Sequence, residues 1–308
     1  MGWNNPPIPW SELERRLSDR PRNADAGCVP ERNGGDSPAW GPKRGPYQVP
    51  PGCVPERRGV PLGRSVLPYA ELHCHSAFSF LDGASPPEEL AEVAVRLGLE
   101  ALAVTDHDGF YGVVRFAEAA SALGLPTVFG SELTLDLHDV RARSRPRPQA
   151  GLADPEGAHL VVLARDPAGY GRLARSISAA HLAAGEKGLP KCSLGDLVEA
   201  HGGHWLVLTG CRKGTVPAAL AGQGPSAAAW ELGRLVDAFG RDNVAVEVWD
   251  HGDPIDSVRN DALVALAARA GVEVVATNNV HYAVPSRRPL ATALAAVRSR
   301  RSLDEVEG

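Results

Sequence analysis

Seven short apolar runs, separated by stretches of helical periodicity, constrain this chain more than any other feature of its sequence. The runs fall at 69–74, 101–105, 127–130, 159–164, 205–209, 244–248 and 272–276, and their length and composition read as buried strands. The helix after the first run is the best marked. Ser85 reads as its N-cap, Pro86 as its first residue and Glu88 as its third. Leu90, Val93, Ala94 and Leu97 share one face, and Gly98 stops it. Similar patterns span 111–123, ended by Gly124, then 230–239, and 259–270, ended by Gly271. Strands alternating with helices imply parallel pairing through crossover connections. Polar residues just past the strands favour a seven-stranded α/β barrel over an open doubly wound sheet. Barrels of this kind gather their chemistry at the C-terminal ends of the strands.

The first 66 residues have a different texture. They are rich in Pro, Gly, Asn and Arg, with little apolar periodicity, and read as an irregular extension. One short helix is expected there, from the capping box Ser11-x-x-Glu14. The pentad Cys28-Val-Pro-Glu-Arg32 returns as Cys53-Val-Pro-Glu-Arg57, which is too little for a repeat architecture. The folded domain is placed at 67–285 and the start of a connection at 286–308, of which 301–308 reads as helical or turn-like.

A net charge of -5 argues against a protein that coats nucleic acid. The basic run Arg141, Arg143, Arg145 and Arg147 suits a solvated loop. No stretch approaches the roughly 20 apolar residues of a membrane span, and Met1 to Trp10 has neither the basic nor the apolar region of a secretory signal. The cysteines Cys28, Cys53, Cys74, Cys192 and Cys211 are odd in number and contain no C-x-x-C. That pattern fits reduced thiols in a cytoplasm.

Chemistry-bearing residues collect where the barrel rule places them. Strand one ends in His73-Cys74-His75, with Asp82 shortly after; strand two ends in Thr105-Asp106-His107-Asp108. Glu132 follows strand three, His159 opens strand four, Cys211 follows strand five, and Asn278-Asn279-Val280-His281 follows strand seven. Two histidines at i and i+2 of a strand point to one face and can grip one ion. Each feature also has a structural reading of its own. Two histidines can sit in a half-buried strand, the Asp-His-Asp run can be a turn before a capped helix, and Cys211 can be a small core residue. Their common placement at strand ends points to metal. Mixed N and O donors suit zinc, manganese or iron, and the thiol leans toward zinc. His138, His181, His201, His204 and His251 fall in loops or helices and read as solvated or capping, His251 being the nearest to a strand end.

These residues resemble a known family. His73-Cys-His75-Ser-Ala-Phe-Ser-Phe-Leu-Asp82-Gly, Thr105-Asp106-His107-Asp-Gly and Asn278-Asn279-Val-His281-Tyr are similar to the PHP (polymerase and histidinol phosphatase) domain of bacterial C-family DNA polymerases. Met1-Gly-Trp-Asn, Gly35-Asp-Ser-Pro-Ala-Trp40 and Lys43-Arg-Gly-Pro-Tyr47 resemble the error-prone branch, which serves mutagenic repair. The resemblance implies a distorted seven-stranded barrel and up to three divalent ions, zinc or manganese. It implies that His73, His75, Glu132 and residue 279 hold the first ion. Glu132, His159 and Cys211 would hold the second, and Asp82, His107 and His281 the third. Asp106 would orient a ligand from behind.

One position departs from the pattern. The family's fully liganded sites have Asp where this chain has Asn279, so one negative charge is missing. The expectation is a site that binds metal but has weak or no 3'-5' exonuclease activity. The resemblance also implies that the polymerase carboxylates lie beyond residue 308, which makes the chain an N-terminal fragment meeting DNA and replication or translesion partners through the full-length enzyme. Two other readings stand beside this one: a free-standing PHP phosphoesterase acting on a small phosphate ester, and a non-catalytic scaffold.

Overall fold

The computed structural model describes residues 47–52, 68–135, 157–184, 190 and 192–306, all within the unit Tyr47–Gly308. The expectations for the Ser11 capping box, both copies of the pentad, His138 and the arginine run at 141–147 lie outside the described residues.

All seven expected strands form. They are β1 (Ala70–Glu71), β2 (Ala101–Val104), β3 (Thr127–Leu135), β4 (Ala158–Ala164), β5 (Trp205–Leu208), β6 (Val244–Val248) and β7 (Glu273–Ala276). They lie in sequence order in a single sheet. The sheet curls until its two edges meet just beyond β1 and β7. There Cys74 bridges Val280, the His75 N–H donates to Val280 O at 2.7 Å, and the Val280 N–H donates to His73 O at 2.9 Å. The result is a distorted, incompletely closed barrel.

The expectation of parallel pairing throughout is corrected at one strand. β4 runs antiparallel to both β3 and β5, while the other neighbours pair in parallel. On the β5 side the connection from β4 accommodates the reversal. It contains two helices, α3 (Pro167–Ala184) and α4 (Leu194–His201), tied together by Arg172 Nη1 donating to Ala200 O at 3.0 Å. One crossover helix returns the chain to the start of a parallel neighbour. Two helices in succession return it to the end it left, and the next strand must run the other way. The reversal has a functional consequence: the first residues of β4 stand beside the last residues of β3, with Thr134 opposite His159.

The remaining helices are α1 (Pro87–Leu97), α2 (Val113–Leu123), α5 (Thr215–Gln223), α6 (Pro225–Phe239), α7 (Asp256–Ala270) and α8 (Arg288–Ser299). Gly98, Gly124 and Gly271 end α1, α2 and α7 in the left-handed conformation, as expected. Ser85 is not the cap of α1; Pro86 takes that place. The Ser85 hydroxyl instead accepts the Ala283 N–H at 3.1 Å, fastening the chain after β7. Helix α8 lies in the segment read as a connection, and Arg287 at its start pairs with Glu89 of α1 at 2.9 Å. Among the described residues no helix is long and apolar enough to cross a membrane.

Alternation along the strands divides the core. Ala103, Val161, Leu163, Leu208 and Ala245 fill the barrel interior, joined by Val128 and Val275. Leu133, Leu135, Leu160, Val162, Trp205, Val207, Val244 and Val246 face outward into the helical layer. By the same parity Glu132, His159 and Glu247 point inward, above the apolar floor. Trp205 anchors the outer layer, fully buried with its indole N–H on Gly169 O at 2.8 Å. Trp205→Ala is expected to cost about 3–5 kcal/mol. Trp205→Phe, which keeps most of the packing but leaves that carbonyl without its donor, is expected to cost about 1–3 kcal/mol. Urea unfolding of both variants checks the order.

Candidate metal centre

At the mouth of this barrel Glu132 sits 1% exposed among four imidazoles and a thiol. Its Oε1 lies 3.5 Å from His73 Nε2, 3.2 Å from His159 Nδ1 and 3.5 Å from Cys211 Sγ. Its Oε2 lies 3.4 Å from His75 Nε2 and 3.3 Å from His107 Nδ1. Beside this hub, Asp82 Oδ2 lies 3.3 Å from His107 Nε2 and 3.0 Å from His281 Nδ1. Three overlapping groups could each hold an ion: His73, His75 and Glu132; His75, Asp82 and His107; His107, Glu132 and His159.

The side chains fit that role on two grounds. First, donor atoms held about 2.0–2.2 Å from one tetrahedral ion lie roughly 3.3–3.6 Å apart, the range in which most of these contacts fall. Second, His73 Nε2 and His75 Nε2 face each other at 3.1 Å, and the opposite nitrogen of each ring is already committed. His73 Nδ1 is 2.7 Å from the Glu247 carboxylate, so it carries the hydrogen. His75 Nδ1 is 3.2 Å from Ser79 Oγ, whose own hydrogen goes to Asp106 Oδ1 at 2.8 Å, so it donates as well. Two lone pairs then point at one another, an arrangement that requires an electrophile between them: a proton or a metal ion.

The electrostatics divide the ligands. Burial pushes the His73 pKa down, but Glu247 and Glu132 outweigh it and hold it well above the ordinary value. Burial and neighbouring His107 push His75 down to about 3, keeping it neutral. His107 is also depressed by burial, yet Asp82 and Glu132 lift it to about 9. Burial works against the charge of Glu132, but His159 and His73 hold its pKa well below the carboxylate range. Burial and Glu132 push the Cys211 thiol up. Cations, whether protons or metal ions, are therefore what this cluster of buried carboxylates demands.

Eight of the nine residues expected as ligands are linked by these contacts: His73, His75, Asp82, His107, Glu132, His159, Cys211 and His281. The grouping differs in detail from the expected one, since His107 faces both Asp82 and Glu132. Asn279 takes a left-handed backbone, φ 44°, which Asn and Asp tolerate best among residues with a Cβ. Its Oδ1 is buried with no hydrogen-bond partner. The Asp106 carboxylate is held by Ser76 and Ser79: it accepts from the Ser76 N–H at 2.7 Å and both hydroxyls at 2.8 Å. His251 stands apart, its Nε2 on Asn278 O at 2.7 Å, and His181 and His204 bond Asp108 O and Asp166.

Two residues in contact with this cluster were not read from the sequence. Glu247, fully buried, holds His73 and also accepts the Thr277 hydroxyl at 2.5 Å. A lone carboxylate inside the apolar strand Val-Ala-Val-Glu-Val was its visible signal. Arg298 of α8 forms an ion pair with Asp82 Oδ1, and no local pattern announces a pairing across that distance in the chain.

Known proteins place the chain further. The model of the PHP domain family matches residues 71–251. The whole chain aligns with error-prone DNA polymerases of Nocardia farcinica (strain IFM 10152), Mycolicibacterium paratuberculosis (strain ATCC BAA-968 / K-10) and Mycobacterium tuberculosis (strain ATCC 25618 / H37Rv). Identities are 50%, 54% and 55%, and the alignments cover 29%, 26% and 26% of those proteins. The chain thus spans between a quarter and a third of the length of the curated relatives it matches. A solved structure from Bifidobacterium adolescentis ATCC 15703, provisionally described as a metal-dependent phosphoesterase, is 20% identical with a TM-score of 0.48. That alignment covers 70% of this chain and 88% of the other. With a family model spanning more than half its length, this chain belongs to the PHP domain family.

Proposed function

We propose that the chain is the PHP region of an error-prone DNA polymerase and that its strand-end cluster binds divalent cations, zinc or manganese. The facing Nε2 atoms of His73 and His75 beside Glu132 carry this reading. Alignment of the whole of this chain with part of each polymerase favours it over a free-standing phosphoesterase for a small phosphate ester. A bound divalent ion supplies Lewis-acid polarisation of a phosphoryl oxygen. The chain's own residues prepare the place. Glu247 fixes the tautomer and direction of His73, Ser79 and Asp106 do the same for His75, and Glu132 concentrates negative charge where the cations belong. Asn279 offers a neutral oxygen in place of a carboxylate, so the proposed activity is weak 3'-5' hydrolysis of single-stranded DNA beside a stabilising role. DNA and other replication or translesion proteins are the proposed partners of the full-length enzyme.

An ion held only by the folded barrel stabilises it by mass action. Chelator is therefore expected to lower the thermal midpoint of the purified chain and to remove the zinc or manganese found by elemental analysis. Glu132→Gln is expected to lose most of that metal and to unfold at a midpoint chelator no longer shifts. Wild-type metal content in Glu132→Gln would sink the assignment of Glu132 as the hub.

Asn279→Asp keeps a residue that tolerates the left-handed backbone and restores one negative charge. Metal affinity or single-strand hydrolysis is expected to rise about 10–100-fold, by comparison with the losses seen when the surroundings of a metal are altered. Titration with Mn²⁺ and degradation of a 3'-labelled oligonucleotide read the two quantities, and no gain in either overturns the account of residue 279.

A further inference from the structure

We infer that the guanidinium of Arg298 takes the place of one cation, so that this site holds two divalent ions rather than three. The inference rests on the metal-binding reading above and concerns its stoichiometry. Arg298 comes from α8 and forms an ion pair with Asp82 Oδ1, the two side chains being 23% and 7% exposed. Asp82 is the one carboxylate of the group it forms with His75 and His107. Its other oxygen already faces His107 and His281. The imidazoles contribute no negative charge to that group, so a fixed positive charge on Arg298 offsets its one carboxylate, leaving Glu132 to the other two groups.

The other two corners differ. They share Glu132, they have the Cys211 thiol as a potential thiolate, and they are backed by Glu247 behind His73. Up to three negative charges thus serve two ions. At the Asp82 corner a divalent ion would share one carboxylate with an adjacent guanidinium, and a low-dielectric setting magnifies that repulsion. Arg298 is also delivered by a docked helix. Arg287 pairs with Glu89 at the start of α8, and Ala296 is buried beneath it. The guanidinium is therefore held at Asp82 by packing as well as by charge.

The test is the number of metal equivalents retained by the whole 308-residue chain after saturation with Mn²⁺ and desalting, with circular dichroism confirming the fold. Wild type is expected to hold about two equivalents and Arg298→Gln about three. Arg298→Lys, which keeps the charge, is expected to stay near two. Arg287→Gln loosens the same helix without touching Asp82 and is expected to stay near two as well. If Arg298→Gln does not fold, Arg298→Met removes the charge while preserving the stem's packing. Three equivalents in wild type, or two in every folded charge-removing variant, overturns the inference while leaving metal binding intact. No metal in wild type overturns the metal reading and this inference together.

Discussion

A single buried carboxylate, Glu132, sets the terms for the whole barrel mouth. Taking an isolated carboxylate out of water costs several kcal/mol even after relaxation. The strand beneath it offers no relief, because the barrel floor of Ala103, Val161, Leu163, Leu208 and Ala245 is apolar. Compensation must come from the sides, and it comes as imidazoles from β1, β2 and β4 and a thiol after β5. The backbone cooperates: the Glu132 N–H reaches Thr105 O at 3.2 Å and Asp106 O at 3.3 Å, locking the hub to the end of β2. A cation at this point is part of the fold's balance before it is part of any chemistry.

The same network does the work of barrel closure. β1 has only two residues, and beyond it the edges meet through one bridge. Side chains supply the rest. Glu71 accepts the His73 and Asn278 N–H groups, both at 2.9 Å, joining the β1 edge to the chain after β7. Glu247 joins β6 to both edges through His73 and Thr277. Asp106 clamps the loop after β1 through Ser76 and Ser79. The carboxylates that orient the candidate ligands are the ones that shut the barrel, so positioning of the site and stability of the fold are coupled by construction.

That coupling explains what the sequence revealed and what it hid. Strand-end residues such as His73, Asp82, His107, Glu132 and His281 were legible because barrel geometry converts a position in the chain into a position in space. His159 broke the rule, lying at the start of its strand. The reversal of β4 resolves the exception, since an antiparallel strand begins where its neighbours end. The reversal itself is a matter of tertiary strand pairing, which no local pattern reports. Ser85 was misread because its hydroxyl serves Ala283, nearly two hundred residues away in the chain. Glu247 was visible as a lone acid in an apolar strand, but its partner His73 lies on another element. Periodicity fixes the face of a residue; only tertiary packing fixes its partner.

Asn279 and Arg298 are best understood together. Asn279 lacks the negative charge of the pattern the chain resembles, and Arg298 places a positive charge beside Asp82. Both features lower the demand for cations, and backbone strain explains neither. The left-handed backbone at 279 accepts Asp as readily as Asn, so nothing steric selects the amide. A mouth with fewer cations still satisfies Glu132 and still closes the barrel. What it gives up is the set of charges that would flank a phosphoryl group from both sides. On the proposed reading, the two features leave the structural office of the metal intact while weakening the hydrolytic one.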